Sequence, residues 1–305
     1  MQSIIICNIE YVVIGLCEIG AVKMSNVKVI CDSTCDLTGE LYRKYNVDVV
    51  PLGVSLGDDF RRDGVDITAH ELFDYVETSG TLPKTSAISV GEYTEKFESI
   101  VEQGMEIVHI SLSSELSASY QNACIAAETV GGVYVVDSRN LSSGSGHLVM
   151  LACEMAQADM SAREIAAALD EAKTRLDVSF VLQTLEFLHK GGRCSGVAAF
   201  GANLMKLRPE IEVCDGRMQV GKKYRGSMEN SVLAYVRGRL EGRTDIRHDR
   251  IFITHSGVPE DILAKVVALV KELQPFNEVI ETTAGCTISS HCGPGCLGVL
   301  FFRER

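Results

Sequence analysis

From residue 27 onward, short apolar runs alternate with longer segments in which apolar positions recur every three to four residues. The first kind predicts buried strands and the second amphipathic helices. "VKVIC" at 27–31 is the first strand, and it ends in the polar turn "DSTCDL". A short helix at 40–46 and a strand at 47–56 follow. Thr68 opens a helical pattern over 68–80, with Glu71 three residues on, the reciprocal capping pair that satisfies two free N–H groups at a helix start. Next come a helix at 90–104, a strand at 106–113, a helix at 115–131 closed by Gly131, and a strand at 133–138. Helices at 144–160 and 161–176 complete the first half.

This alternation predicts an α/β protein with a mostly parallel sheet flanked by helices on both faces. Ligands of such sheets sit beyond the carboxyl ends of the strands. The polar turns to inspect are therefore "DSTCD", "TSAIS", "SSELSAS" and "DSRNLSSGSG". Near residue 178 the texture changes. Two strands meet at the Asp215–Gly216 turn, a helix spans 228–242, a strand 250–256, a helix 259–274, and strands 277–285 and 296–302 end the chain. The expected division is an N-terminal α/β domain over 24–175 and a second α/β domain over 176–305 packed on it.

Residues 1–23 stand apart as an extension. They are apolar but interrupted by Asn8, Glu10 and Glu18, with no basic leader and no small-residue cleavage site. Met24, just ahead of the first strand, is the expected natural start; a short membrane-associating tail is the alternative.

Composition narrows the function. A net charge of −12 argues against nucleic acid and anionic membrane surfaces as main partners, though it leaves room for transient membrane contact. Tryptophan is absent and aromatics make up 6%, so no base-stacking platform is expected. The eleven cysteines follow no disulfide rhythm and contain no CxxC, which fits buried thiols in a reducing cytosol. There is no P-loop, no GxGxxG after the first strand, no GxSxG and no HExxH, so no cofactor is expected.

Three places carry candidate chemistry. "SSHCGPGCLG" at 289–298 sets His291 among glycines. His291 could join Cys292 and Cys296 on a metal, although no fourth ligand is spaced for it; it could also be a plain core histidine. The glycines favour a loop that approaches an anion closely, with His291 meeting it. The hydroxyl-rich turns offer Thr85, Ser86, Ser113, Ser114 and Ser117 as anion contacts or as helix caps. Arg193 follows a glycine pair and Arg225 lies in "KKYRG"; each is an anion contact or plain surface. Asp32 and Asp137 end strands and are expected to cap the turns that follow.

Taken in order, "VICDSTCDL", "TSAISVGEY", "SLSSELSASYQNA", "VVDSRNLSSGSG", "LHKGGRCSG", "KLRPEIEVCDGRMQVGKKYRG" and "HCGPGCLGVLFF" resemble the DegV family, the fatty-acid-binding subunits of bacterial fatty acid kinases, over about residues 27–302. The resemblance implies two α/β domains with a lipid tunnel between them. It implies a carboxylate site at Thr85, Ser117 and His291, with Ser86 and Arg193 at neighbouring family positions; Ser86 is expected to join the carboxylate site, and Arg193 and Arg225 to face the head site or a partner. It further implies a non-enzymatic cytoplasmic protein that binds a long-chain fatty acid and presents it to a separate ATP-dependent kinase subunit. The sequence departs from the family pattern at Ala118, Ser119 and Glu115, the last adding charge near the head site. The competing reading is an autonomous hydrolase or transferase with Ser117 as nucleophile and His291 as base on a small carboxylated or phosphorylated substrate.

Overall fold

The computed structural model describes residues 26–194 and 207–304. The expectations for residues 1–23 and for a start at Met24 lie outside these residues. In chain order the first half contains β1 (Val27–Asp32), α1 (Gly39–Lys44), β2 (Asp48–Val50), β3 (Gly53–Leu56), β4 (Asp59–Arg62), α2 (Ala69–Ser79) and β5 (Lys84–Ser86), then α3 (Val90–Val101), β6 (Glu106–Ser111), α4 (Ser119–Val130), β7 (Val133–Asp137), α5 (Ser142–Gln157) and α6 (Ala162–Ala172). The second half contains β8 (Leu176–Val181), α7 (Glu186–Gly191), β9 (Arg208–Cys214), β10 (Arg217–Tyr224), α8 (Met228–Leu240), β11 (Ile246–Ser256), α9 (Glu260–Leu273), β12 (Glu278–Thr283), α10 (Cys286–Cys292) and β13 (Cys296–Arg303).

The α/β class is as expected. Strands β2-β1-β6-β7 form a wholly parallel sheet, as the alternating pattern demands. A mixed six-stranded sheet, ordered β10-β9-β8-β13-β11-β12, holds the second half. Helix α5 lies between the two sheets and is buried along most of its length, hence its nearly continuous apolar and small-residue surface. Val29, Val108 and Ile110 from the parallel sheet share one core with Val178, Phe252, Leu300 and Phe302 from the mixed sheet. His147 Nε2 of α5 donates a 2.9 Å bond to the Leu300 carbonyl, pinning the helix to β13.

The strand expected over 47–56 is two strands in two sheets. Pro51 has no N–H to give to a ladder, so β2 stops at Val50 and the chain crosses to a small antiparallel sheet, β4-β3-β5. That changes the setting of Thr85 and Ser86. They lie on β5, paired with Val54 and Gly53 of β3, and not on a turn after a parallel strand. Helix α4 begins at Ser119, four residues later than expected, because Ser114 and Glu115 are held by side chains elsewhere. Among the described residues, no helix is long and apolar enough to cross a membrane.

Candidate functional site

A cavity of about 220 Å³ opens between the carboxyl end of the parallel sheet and the inner face of the mixed sheet. For scale, an engineered apolar cavity of ~150 Å³ admits benzene. Its floor is Phe180, Gly298, Leu300 and Thr254, with Gly298 paired to Phe180 on one side and Thr254 on the other. Only glycine suits that centre: a β-carbon at Gly298 would sit 2.9 Å from the Ser179 carbonyl oxygen and 3.2 Å from Leu300. Leu52, Leu112, Leu141, Leu188, Met218 and Ile288 form apolar walls. Polar side chains at the cavity include Thr85, Ser86, Ser117, Arg193 and His291.

His291 was expected on a glycine loop. It stands instead in the last turn of α10, and the glycines come after it. This helix is anchored from far away in the chain. Asp63 accepts from the Cys286 and Thr287 amides at 2.7 and 3.0 Å, and Asp36 accepts from the Gly285 amide at 2.8 Å. These bonds satisfy free amides at the helix start, where negative charge is also favourable. Gly293 then leaves the helix at φ +71, where a β-carbon would meet the Phe187 ring at 2.7 Å.

The imidazole reaches the small sheet, with His291 Nε2 and Thr85 Oγ1 2.9 Å apart. Its other nitrogen, Nδ1, is buried without a partner and faces Gly191; a β-carbon at Gly191 would lie 2.3 Å from it. Burial, and secondarily the Arg193 charge, push the His291 pKa down to about 4, so the ring is neutral at physiological pH. A neutral ring has one proton to place. On Nδ1 it would be a buried orphan donor; on Nε2 it is donated to Thr85. The second tautomer costs less. It leaves the Thr85 hydroxyl proton free to point at a ligand.

Ser117 lies at the entrance to α4, half-buried, with its hydroxyl 2.9 Å from that of Ser119 and accepting the Ser119 amide at 3.2 Å. Ser86, one residue along β5, is exposed, with its hydroxyl packed over Gly53. Arg193 is exposed and donates to the Gly191 carbonyl at 2.8 Å; it also borders a shallow polar groove with Glu115 and Arg217. Arg225 is not brought to the cavity. It is exposed past the end of β10, seven residues beyond the cavity residue Met218, or roughly 20 Å along a strand.

Several polar residues have other duties than the sequence indicated. Glu115 is paired with Arg217 at 2.8 Å and Arg139 at 3.2 Å, which offsets its charge near the cavity. Ser113 holds the Gly216 carbonyl at 2.9 Å and Ser114 bonds Asp137 at 2.6 Å; neither caps α4. Asp137 does cap its own turn, accepting the Arg139 amide at 2.9 Å. Asp32 caps nothing. It is fully buried and accepts from Tyr93 at 2.6 Å, Ser111 at 2.8 Å and the Leu112 amide at 2.8 Å. Sequence reasoning missed Asp36, Asp63 and Tyr93 as supports. Nothing local announces them, because Asp63 and the helix it holds are 223 residues apart.

The arrangement disfavours two of the alternatives. The Cys292 thiol faces the Ser256 hydroxyl, and among the described residues no three His, Cys, Asp or Glu side chains converge as metal ligands. The Ser117 hydroxyl bonds Ser119 and His291 bonds Thr85, so the nucleophile–base contact of a hydrolase is not made.

Residues 26–304 match the family model described as "Uncharacterised protein, DegV family". A DegV domain-containing protein of Clostridium acetobutylicum is 30% identical over 285 residues, covering 92% of this chain and all of the relative. A solved structure described as fatty acid binding of a DegV family protein from Thermus thermophilus is 32% identical, with a TM-score of 0.81 over 91% of this chain and 99% of that one. A stearic-acid-binding protein from Eubacterium ventriosum is 27% identical, with a TM-score of 0.79 over 91% of this chain and 98% of that one.

Proposed function

The chain belongs to the DegV family, and we propose that it carries one long-chain fatty acid, with the carboxyl group at Thr85, Ser117 and His291 and the acyl chain inside the cavity. The observation that carries this reading is the cavity itself: apolar walls ending in a Thr85–His291 pair and a nearby serine. The family likeness to proteins whose structures are described as fatty-acid-binding supports it. So does the energetics. Burying about 14 methylenes is worth on the order of 11 kcal/mol gross at ~0.8 kcal/mol each, before ordering costs. Chain burial then supplies most of the affinity, and the polar cluster fixes which end faces outward.

The bound acid is presented to a separate ATP-dependent kinase subunit that forms the acyl phosphate. No nucleotide-binding motif in this chain supports making the phosphate itself. Arg193, exposed beside the head site, and Arg225, exposed farther away, are the basic residues we assign to that partner's side. The cysteines among the described residues, mostly buried, are in keeping with work in the reducing cytosol.

Native mass spectrometry of freshly purified protein tests the proposal. It should show a co-purified fatty acid. Protein that is empty and takes up no labelled acid refutes the carrier reading. His291→Ala should reduce phosphorylation of the bound acid more than binding of the acid; equal losses would refute the division between holding and presenting.

A further inference from the structure

The turn of the β9–β10 hairpin walls one side of the cavity, and most of what holds it there is exposed. The root of the hairpin is fixed. Glu210 is fully buried and accepts from Tyr224 at 2.8 Å and Arg239 at 3.0 Å. Strand β9 pairs with β8 from Glu210 to Glu212, and the segment from Val213 to Met218 projects past that ladder. Its tip meets the loops that follow β6 and β7. The Ser113 hydroxyl donates to the Gly216 carbonyl at 2.9 Å, a buried bond. Arg139 donates to the Asp215 carboxylate at 2.9 Å. Arg217 donates to Glu115 at 2.8 Å, and Arg139 takes the other oxygen of Glu115 at 3.2 Å. Glu115 is thus the joint between the tip and the first half of the chain. The Asp215 and Arg217 side chains are 93% and 69% exposed, so these ion pairs are screened by salt and individually weak.

On the carrier reading above, we infer that this tip is the gate through which the acid enters and leaves, and that Glu115 is its latch. The polar groove outside the gate is lined by Glu115, Leu116, Gly192, Arg193, Arg217 and Met218. Leu116, Arg193 and Met218 also line the cavity, so groove and cavity meet at these residues. Leu116 follows Glu115, and Met218 follows Arg217. Parting Glu115 from Arg217 therefore separates Leu116 from Met218, two apolar lips, and opens the seam two residues from Ser117. The arrangement suits a passage for an acyl chain. The lips give the chain an apolar path, and the charged pair outside them keeps the path shut between passages. A latch of surface ion pairs biases the tip toward the closed position, yet it opens without help from the ligand. The buried bonds of Glu210 keep the rest of the hairpin in place while the tip swings.

The test is stopped-flow uptake and release of a fluorescent long-chain acid, cis-parinaric acid, by the full chain, with oleic acid as the chase. A gate changes both rates together and leaves affinity alone. Glu115→Gln and Arg217→Gln should each speed uptake and release about fivefold, the worth of a surface ion pair, at unchanged affinity. The two substitutions remove opposite charges, so attraction of the acid by the protein's field cannot account for a rise common to both. Raising salt to about 0.5 M should speed the parent protein in the same way and affect either variant less. Glu229→Gln breaks an exposed pair with Lys265, 2.7 Å long and on other helices, and should change neither rate. Rates that match the parent in both latch variants overturn the inference and leave the carrier reading standing. So does faster release with a proportional loss of affinity, which would mean that the pair only stabilises the loaded state, and so does an equal rise in Glu229→Gln. Failure of the parent protein to take up the acid at all refutes the carrier reading itself.

Discussion

Gly191→Ala displaces His291 without altering it. Gly191 ends α7 with ordinary helical backbone, and a β-carbon there would lie 2.3 Å from His291 Nδ1 and 3.1 Å from Cε1. Ordinary contact distances of about 3.5–4 Å require the ring to retreat by more than 1 Å. The ring is held by a 2.9 Å bond to Thr85, which such a shift breaks. The lost bond costs about 1 kcal/mol and the overpacking about 1–3 kcal/mol. Better helix propensity returns up to ~1 kcal/mol. The balance is a loss of about 1–3 kcal/mol, read by urea denaturation of ligand-free protein. Affinity for a long-chain acid should fall about tenfold, one hydrogen bond's worth, and not collapse. Gly192→Ala is the contrast. Gly192 has φ +67 and nothing within 4 Å of a β-carbon, so alanine there adds ~1–2 kcal/mol of backbone strain and should leave affinity unchanged. If Gly191→Ala matched the parent in both stability and affinity, the imidazole would not be packed against Gly191 and held to Thr85.

The remaining predictions concern the buried acids and histidines. Burial, relieved in part by Ser142 and Gly285 and reinforced by Asp63, pushes the Asp36 pKa up to about 8. A folded value above the unfolded one means its stability contribution is present near pH 4 and lost as pH rises toward 8. Asp36→Asn keeps an acceptor for the Gly285 amide, so it should raise stability on the order of 3 kcal/mol at pH 8 and much less at pH 5, by denaturant titration at both. Burial lowers the His147 pKa to about 3 and that of His291 to about 4. Unfolded histidines protonate first, so stability should fall as pH drops from 6.5 toward 4; a midpoint that rises over that window refutes the neutral-imidazole assignment. Asp63→Ala strands two buried amides at the start of α10 and should cost about 2–4 kcal/mol, with acid affinity falling in the same protein.

The sequence exposes what local rules govern. The Thr68 capping box, the Asp215–Gly216 hairpin and the parallel sheet all follow from spacing that chain neighbours can satisfy. Thr85, Ser117 and His291 were legible through collinear motifs, and the fold gathers them at one cavity. Their setting was not legible. Pro51 signals a break but not that the chain joins a third sheet, and that sheet is what brings Thr85 to His291. Glu115 reads as free charge, since its arginine partners at 139 and 217 lie in other elements. Asp32 shows the same limit: its turn is local, but its partners Tyr93 and Ser111 are 61 and 79 residues away.

The supports behind the site share a property that shapes its chemistry. Asp63 and Asp36 hold the helix bearing His291, and Asp32 holds the amide of Leu112, a residue of the cavity wall. Each fixes position by taking donors from backbone or hydroxyl groups, and as an ion each adds negative potential near a place meant for an acid. A site selected for anion affinity alone would put lysine or arginine there. Instead, among the described residues, the lining is neutral apart from Arg193 at its exposed rim. Such a site cannot hold acetate well, because each net hydrogen bond is worth only about 1 kcal/mol, and binding costs at least several kcal/mol in lost translational and rotational freedom. The acyl chain must supply the difference. Affinity therefore resides in the apolar walls. Orientation resides in the polar cluster at one end, where the His291 imidazole sets the direction of the Thr85 proton.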